Sequence, residues 1–406
     1  MSSQSSSSPA WIARGDKDYI KAGFALFLLG FASFSLIYCV QPLLPSFANS
    51  FGLTPAQSSL ALSLTTGLLA FSIMLAGAFS QALGRRGLMF CSMLLAALLN
   101  LGASMAPSWH SLLLARALEG FVLGGVPAVA MAWLAEEIHP DHLGKTMGLY
   151  VGGTALGAMI GRVGMGLMTE FTSWRIALGV LGVLCILSAV GFILLLPPSR
   201  NFERKPGFNI GFHLQSWGSH LRNLRLVRLY FIGFLLTSIF VTLFNYATFR
   251  LAGAPYFLSP TQISLIFLVY AFGVASSSIA GRLTDKLGRK GAIGLGFLLM
   301  LSGTLLTLFA ELPLVVLGVV LVTSGFFISH SVTSGTVGPV AGRNKGHASS
   351  LYLLFYYMGS SLIGSAGGWF WLHGGWGAIV GLTAGTALLG LLTVATVSTR
   401  PAQVKA

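Results

Sequence analysis

Four side chains able to carry charge lie inside stretches otherwise too apolar for them. They are Arg116 and Glu119 within 111–133, Arg162 within 145–168, and His330 within 312–338. In hydrocarbon an ionisable group is costly, and it normally pairs, relays a proton or faces a polar cavity. Arg116 and Glu119 stand three residues apart, so on a helix they share a face. Burial disfavours the ionised carboxylate while the adjacent guanidinium favours it, so a motion that parts them would take up or release a proton. The alternative is an ion pair that merely lets both charges sit in a bundle. Glu119 is the one carboxylate inside an apolar stretch, so acid-borne proton movement would use it. Arg162 reads as a gating or ligand-holding cation, or else as a salt-bridge or carbonyl-capping residue. His330 titrates near neutrality when unperturbed, which suits a proton-coupling or ligand-binding role; the plainer role is one satisfied hydrogen bond.

Polar and aromatic groups accompany these charges: Tyr38, Gln41, Asn245, Tyr246, Tyr356 and Tyr357. Aromatic walls with a few fixed polar groups suit a medium-sized amphipathic ligand, although tyrosines also hydrogen-bond between helices. Other chemistries find little support. The "HPDH" at 139–142 has no third ligand at a recognised spacing, so no metal is expected. No nucleophile–base–orienter set is visible, so the chain does not read as an enzyme. A phosphate-cradling G-x-x-x-x-G-K-[ST] loop is missing, so neither a nucleotide energy source nor a cofactor is expected. Cys39, Cys91 and Cys185 all lie in apolar stretches and read as free thiols.

The elements that must position these groups follow from composition. Hydrophobic residues make up 54% and charged residues 8%, against about 25% charged in soluble domains. Stretches long enough to cross a bilayer, about 20 residues each, fall at 22–45, 58–82, 88–106, 111–133, 145–168, 174–196, 228–250, 261–282, 291–310, 312–338, 346–371 and 375–396. Twelve such spans predict an all-α membrane protein. A net charge of +14 could indicate nucleic acid, but with both termini cytoplasmic, 20 of the 24 Lys and Arg fall on that side. The expected partner of this charge is therefore anionic lipid, not nucleic acid. The opening "MSSQSSSSPA" is polar, lacks a signal-peptide pattern and reads as a disordered tail.

The chain also repeats itself. "GAFSQALGRRG" at 77–87 and "GRLTDKLGRKG" at 281–291 stand 204 positions apart, and "GLTPAQSSL" (52–60) matches "FLSPTQISL" (257–265). Leu149, Tyr150, Gly157 and Trp174 recur as Leu351, Tyr352, Gly359 and Trp376. Two six-helix bundles related by a pseudo-two-fold axis along the membrane normal are expected. The boundaries are a cytoplasmic tail at 1–20, bundles at 21–196 and 228–397, a basic linker at 197–227 and a tail at 398–406. Within the linker, "SHLRNLRLVRL" suits either a short helix at the headgroups or an irregular connection. Gly153, Gly157 and Gly161, and Gly273, Ser277 and Gly281, form small-residue stripes that permit close helix approach in lipid.

Over essentially its whole length the sequence resembles the major facilitator superfamily. The repeated loop is similar to that family's G-x-x-x-D-R/K-x-G-R/K-R/K signature. The second copy supplies Gly281, Asp285, Lys286, Gly288, Arg289 and Lys290, and the first supplies Gly77, Gly84, Arg85 and Arg86 but has Gln81 and Ala82. "RALEG" (116–120) resembles the R-x-x-x-G of proton-coupled members. The antiporter signature is matched only in part, with Ala158 and Arg162 as departures. "YCVQPLLP", "TLFNYATFRL", "FFISHSVTSG" and "SSLYLLFYYMGSS" resemble the bacterial acriflavine-sensitivity and arabinose-efflux-like branch.

The resemblance implies a monomeric transporter of the inner membrane, with spans 1, 4, 7 and 10 around a central cavity and the glycine-rich loops as gates. It implies that the two glycine-striped helices, spans 5 and 8, meet across the domain interface. Proton-coupled efflux of a small amphipathic molecule by alternating access is the first expectation. Uptake of an organic anion with protons is the alternative, since the intramembrane charges sum to +1 with His330 neutral. The resemblance further implies that the signature's acid, at the cytoplasmic end of span 2, faces the start of span 11 near Arg343 and Lys345. Gln81 brings no charge there, which predicts a weaker inner gate and a resting bias toward inward-open.

Overall fold

The computed structural model describes residues 11–202 and 210–399; the side chains of 77–79 and 81–83, including Gly77 and Gln81, lie outside that description, as do both chain ends and linker residues 203–209. Among the described residues all regular structure is helical, apart from one isolated parallel bridge between Ile12 and Ile138. The helices are α1 (Lys17–Tyr38), α2 (Leu44–Phe51), α3 (Pro55–Leu83), α4 (Arg85–Ser104), α5 (Trp109–Leu123), α6 (Pro127–Glu137), α7 (Pro140–Phe171), α8 (Trp174–Leu195), α9 (Ile210–Leu221), α10 (Leu224–Ala252), α11 (Pro260–Leu265), α12 (Tyr270–Leu306), α13 (Leu312–Ala341) and α14 (Lys345–Thr396). Ten helical runs are long and apolar enough to cross a membrane. Two of them contain a glycine outside helical geometry, Gly288 (φ 71°) in α12 and Gly375 (φ 55°) in α14. Large apolar side chains such as Phe24, Phe71, Leu194 and Leu392 are exposed, as expected where the surrounding solvent is hydrocarbon.

Local chemistry sets the helix boundaries. Thr54 and Gln57 close a capping box at the start of α3, and Ser259 and Gln262 do the same at α11, which explains why those two segments repeat. Gly84 (φ 89°) and Gly288 (φ 71°) occupy matching places in the repeated loop. A positive φ is disfavoured for residues with a Cβ, so both copies carry glycine there. Between α1 and α2 the chain passes through a 3-10 turn at Gln41–Leu43, because Pro42 has no N–H to continue the helix.

Two expectations are corrected, the second only in part: spans 5 and 8 do meet, as α7 and α11, but not through their glycine stripes. The linker helix is α9, which ends within "SHLRNLRLVRL" at Leu221; Asn223 Oδ1 accepts from Arg225 N at 3.1 Å, and residues 224–229 open the next helix. α9 packs on the start of α14, where Trp217 Nε1 donates to Ser350 Oγ at 3.2 Å. The glycine stripe of α7 does not face α11 or α12. Gly153, Gly157 and Gly161 press against Phe27, Phe31 and Ser35 of α1, within the same sequence half. Gly273 meets Phe327 of α13. The contact between α7 and α11 is made by Gly166 on Ser264.

The two sequence halves meet mainly where α3 lies along α14 and α7 along α11. Ser361 Oγ donates to Ser63 O at 2.8 Å, Ser360 Oγ meets Thr66 Oγ1 at 3.3 Å, and Gly368 packs on Ala56. At the same end Glu170 Oε2 accepts from Ser259 Oγ at 2.7 Å and from Thr261 N at 2.9 Å. That end lies opposite the basic loops. Among the described residues, no ion pair joins the basic ends of the two halves.

Candidate functional site

The predicted pair on α5 forms. Arg116 Nη1 donates to Glu119 Oε2 at 2.6 Å, and both side chains are fully buried. The approach depends on Gly120, where any Cβ would overlap the backbone of Thr65 in α3. Arg116 does more than pair. It donates to Leu36 O at 3.1 Å, Ile37 O at 3.0 Å and Ala61 O at 3.3 Å. The first two are among the last carbonyls of α1, whose continuation the break at Pro42 removes. Arg116 therefore caps a broken helix from the side. Glu119 Oε1 is buried without a hydrogen-bond partner among the described residues.

Arg162 is built differently. Its side chain is 1% exposed and no carboxylate pairs with it among the described residues. Nη1 donates to Ala158 O of its own helix at 2.6 Å, and Nε donates to Gln41 Oε1 at 2.8 Å. Three rings face its guanidinium carbon: Tyr38 at 4.2 Å, Tyr270 at 4.8 Å and Phe267 at 5.1 Å. Gln41 Nε2 in turn donates to Asn245 Oδ1 at 2.7 Å. That bond crosses between the sequence halves and joins residues 204 positions apart, the spacing of the two glycine-rich loops. Tyr38, Gln41, Arg162 and Asn245 are thus brought together as a single site.

From this site an aromatic path runs into the second half. Tyr270 meets Phe240 at 5.6 Å, Phe240 stacks on Phe326 at 4.0 Å, and Phe326 lies parallel to His330 at 5.7 Å. His330 meets Tyr356 at 4.8 Å, and Tyr356 meets Tyr357 at 5.0 Å. His330 Nδ1 is 2.9 Å from the Tyr352 hydroxyl, the single hydrogen bond of the plainer reading. Tyr246 stays apart: its hydroxyl donates to Gly364 O at 3.0 Å and its ring stacks on Trp371, between α10 and α14. Sequence reasoning missed Phe267 and Tyr270. Their spacing of three, just after a capped helix start, was the available signal.

The repeated loops differ in what neutralises them. Arg85 forms a two-pronged ion pair with Glu136 at the end of α6, and also donates to Ser80 Oγ at 2.8 Å. Glu136 escaped the sequence reading because it lies 51 residues away. Arg86 donates to Ile193 O and, in the second copy, Lys290 donates to Ala395 O, each at 2.5 Å. Arg289 donates to Thr399 O at 3.2 Å. Asp285 makes no ion pair among the described residues; it lines, with Gly281, Ser277, Arg289 and Ser331, an open cleft of about 290 Å³.

The chain matches the family model of the Major Facilitator Superfamily at residues 26–256 and 251–406. It is 42% identical to the uncharacterized MFS-type transporter YybF of Bacillus subtilis over 381 residues, covering 94% of each chain. It is 44% identical to the inner membrane transport protein YnfM of Escherichia coli K12 over 394 residues, covering 95% of this chain and 93% of that one. Among solved structures it resembles a bacterial homologue of the human lysosomal transporter Spinster, in an inward-facing, unoccupied conformation. The TM-score there is 0.75 at 14% identity, covering 96% of this chain and all of the other.

Proposed function

We propose a cargo for this chain, which belongs to the major facilitator superfamily: as a multi-pass membrane transporter it carries a small organic anion with a flat apolar body. One observation carries the reading, the enclosure of Arg162 among three rings without a carboxylate partner among the described residues. An isolated buried charge costs several kcal/mol. Cation–π contact returns about 2 kcal/mol when desolvated. A carboxylate presented to the planar fork supplies the remainder through charge-assisted hydrogen bonds, about twice as strong as neutral ones.

The architecture that serves this cargo has twelve crossings, counting α12 and α14 as two each at Gly288 and Gly375, in bundles spanning 21–196 and 228–397. Both termini and the basic loops face the cytoplasm and its anionic lipid, so the end sealed by Glu170, Ser259 and Gly368 is the outer one. The monomer then rests open to the inside, with loops 77–87 and 281–291 as the inner gate. Protons couple at Glu119, whose free oxygen takes the proton when Arg116 moves away.

A second reading, proton-coupled efflux of a neutral amphipathic molecule, is favoured by the aromatic path through Phe326, His330, Tyr356 and Tyr357. Uptake and counterflow in proteoliposomes decide between them. Labelled benzoate and phenylacetate are compared with chloramphenicol and arabinose while lumenal pH is followed. Saturable benzoate or phenylacetate transport that Arg162→Gln abolishes supports the first reading. Proton flux with the neutral compounds, and none with the acids, supports the second.

A further inference from the structure

We infer that the amide of Gln41 is a resident stand-in for the cargo's polar head, and hence that the cargo is an acid bearing a hydrogen-bond donor beside its carboxylate. This rests on the reading of Arg162 as the anion site. Hydrogen-bond polarity carries the argument. A guanidinium only donates, so the Gln41 group facing Arg162 Nε at 2.8 Å is the carbonyl oxygen. That fixes the Gln41 NH2 on Asn245 Oδ1 at 2.7 Å. Asn245 must then turn its own NH2 away, and that nitrogen is buried without a partner among the described residues. Ser63 Oγ likewise has no partner among the described residues. Both atoms lie near the point where a Cβ on Gly364 would stand, at 3.5 Å and 3.8 Å. One arginine thus orders a chain of amides across the interface and leaves its far end unsatisfied.

The amide is well placed to be displaced. Gln41 opens the 3-10 turn between α1 and α2, outside regular helix, while Arg116 holds the α1 end behind it. Its oxygen is neutral, so a carboxylate competes for Arg162 on favourable terms. A ligand that replaces both ends of the amide offers an anionic oxygen to Arg162 and a donor to Asn245 Oδ1. A 2-hydroxy acid has that pair, and the three rings at Arg162 accept an aromatic body. Displacement also breaks the Gln41–Asn245 bond, so binding loosens a contact between the two halves.

The test is equilibrium binding of mandelate and of phenylacetate, which lacks the hydroxyl, to the purified full chain in detergent. Wild type is expected to bind mandelate about tenfold more tightly than phenylacetate. Gln41→Ala removes the competitor and should tighten both acids; Gln41→Glu, nearly equal in volume, supplies its own carboxylate to Arg162 and should weaken both by about tenfold or more. Weaker binding in folded Gln41→Ala, or unchanged binding in Gln41→Glu, overturns the stand-in. Equal affinities for the two acids overturn the donor requirement. If Arg162→Gln binds both acids like wild type, the anion site itself is wrong; if it loses both while the Gln41 variants behave like wild type, only the stand-in fails. A wild-type protein that binds neither acid overturns both.

Discussion

Two arginines of one bundle are buried to the same degree and made to do opposite things. Arg116 is ringed by acceptors of its own chain: a carboxylate and three backbone carbonyls, two of them at a helix break. Arg162 has a neutral amide, one carbonyl of its own helix and aromatic faces. A buried guanidinium whose donors meet a carboxylate and backbone carbonyls of two neighbouring helices clamps those elements together in this conformation. On the reading proposed above, one left without a counter-charge among the described residues is held in readiness, and its unfavourable energy becomes affinity for an arriving anion.

The largest expected effect is on the clamp. Arg116→Ala strands Glu119 and uncaps α1, and should destabilise the protein by about 3–5 kcal/mol. A thermal melt that matches wild type would break the comparison at once. Arg162→Ala should abolish anion transport while destabilising the protein less than Arg116→Ala does, because it strands no buried carboxylate. Arg162→Lys should not restore transport, since a point charge does not reproduce the planar fork; full activity in that variant would reduce Arg162 to simple electrostatics.

Glu119→Gln sharpens the contrast. It keeps a partner for Arg116 but cannot carry a proton, so exchange of cargo should persist while uphill, proton-driven transport is lost. Proton-driven transport at wild-type rate in the mutant would remove Glu119 from coupling. A smaller effect is expected at His330, whose contacts are Tyr352 and aromatic rings. His330→Gln should leave the pH profile of transport unchanged, and a shifted profile would give this histidine a titrating role.

The smallest effect tests the unlike halves of the proposed gate. The first loop finds its carboxylate on α6, at Glu136, and the second carries its own, at Asp285. If, as the family resemblance implies, position 81 faces the start of span 11, Gln81→Asp adds a charge there worth about 0.3–1 kcal/mol. The population should shift toward outward-open by about 2- to 5-fold. Thiol labelling of vestibule probes in a background without Cys39, Cys91 and Cys185 measures it, and unchanged or greater inner accessibility would refute a gate weakened by Gln81.

The class of molecule, the repeat and the residues able to carry charge were legible in the sequence because each rests on local properties. Apolar length marks a bilayer crossing, glycine marks a positive φ, and an arginine in an apolar stretch stands out wherever it later points. The Arg116–Glu119 pair was legible for the same reason, being one turn of one helix. What each group faces was decided by tertiary structure. In lipid nearly every face of a helix is apolar, so periodicity does not say which face meets which neighbour. The α7 glycines could equally have served α11 or α1, and packing chose α1. The Gln41 bonds to Arg162 and Asn245 span 121 and 204 residues, and the rings of Phe267 and Tyr270 reach Arg162 from the other half. Those contacts exist because two helix breaks, at Pro42 and before Tyr270, turn particular side chains toward one point, and that convergence is a property of the assembled halves.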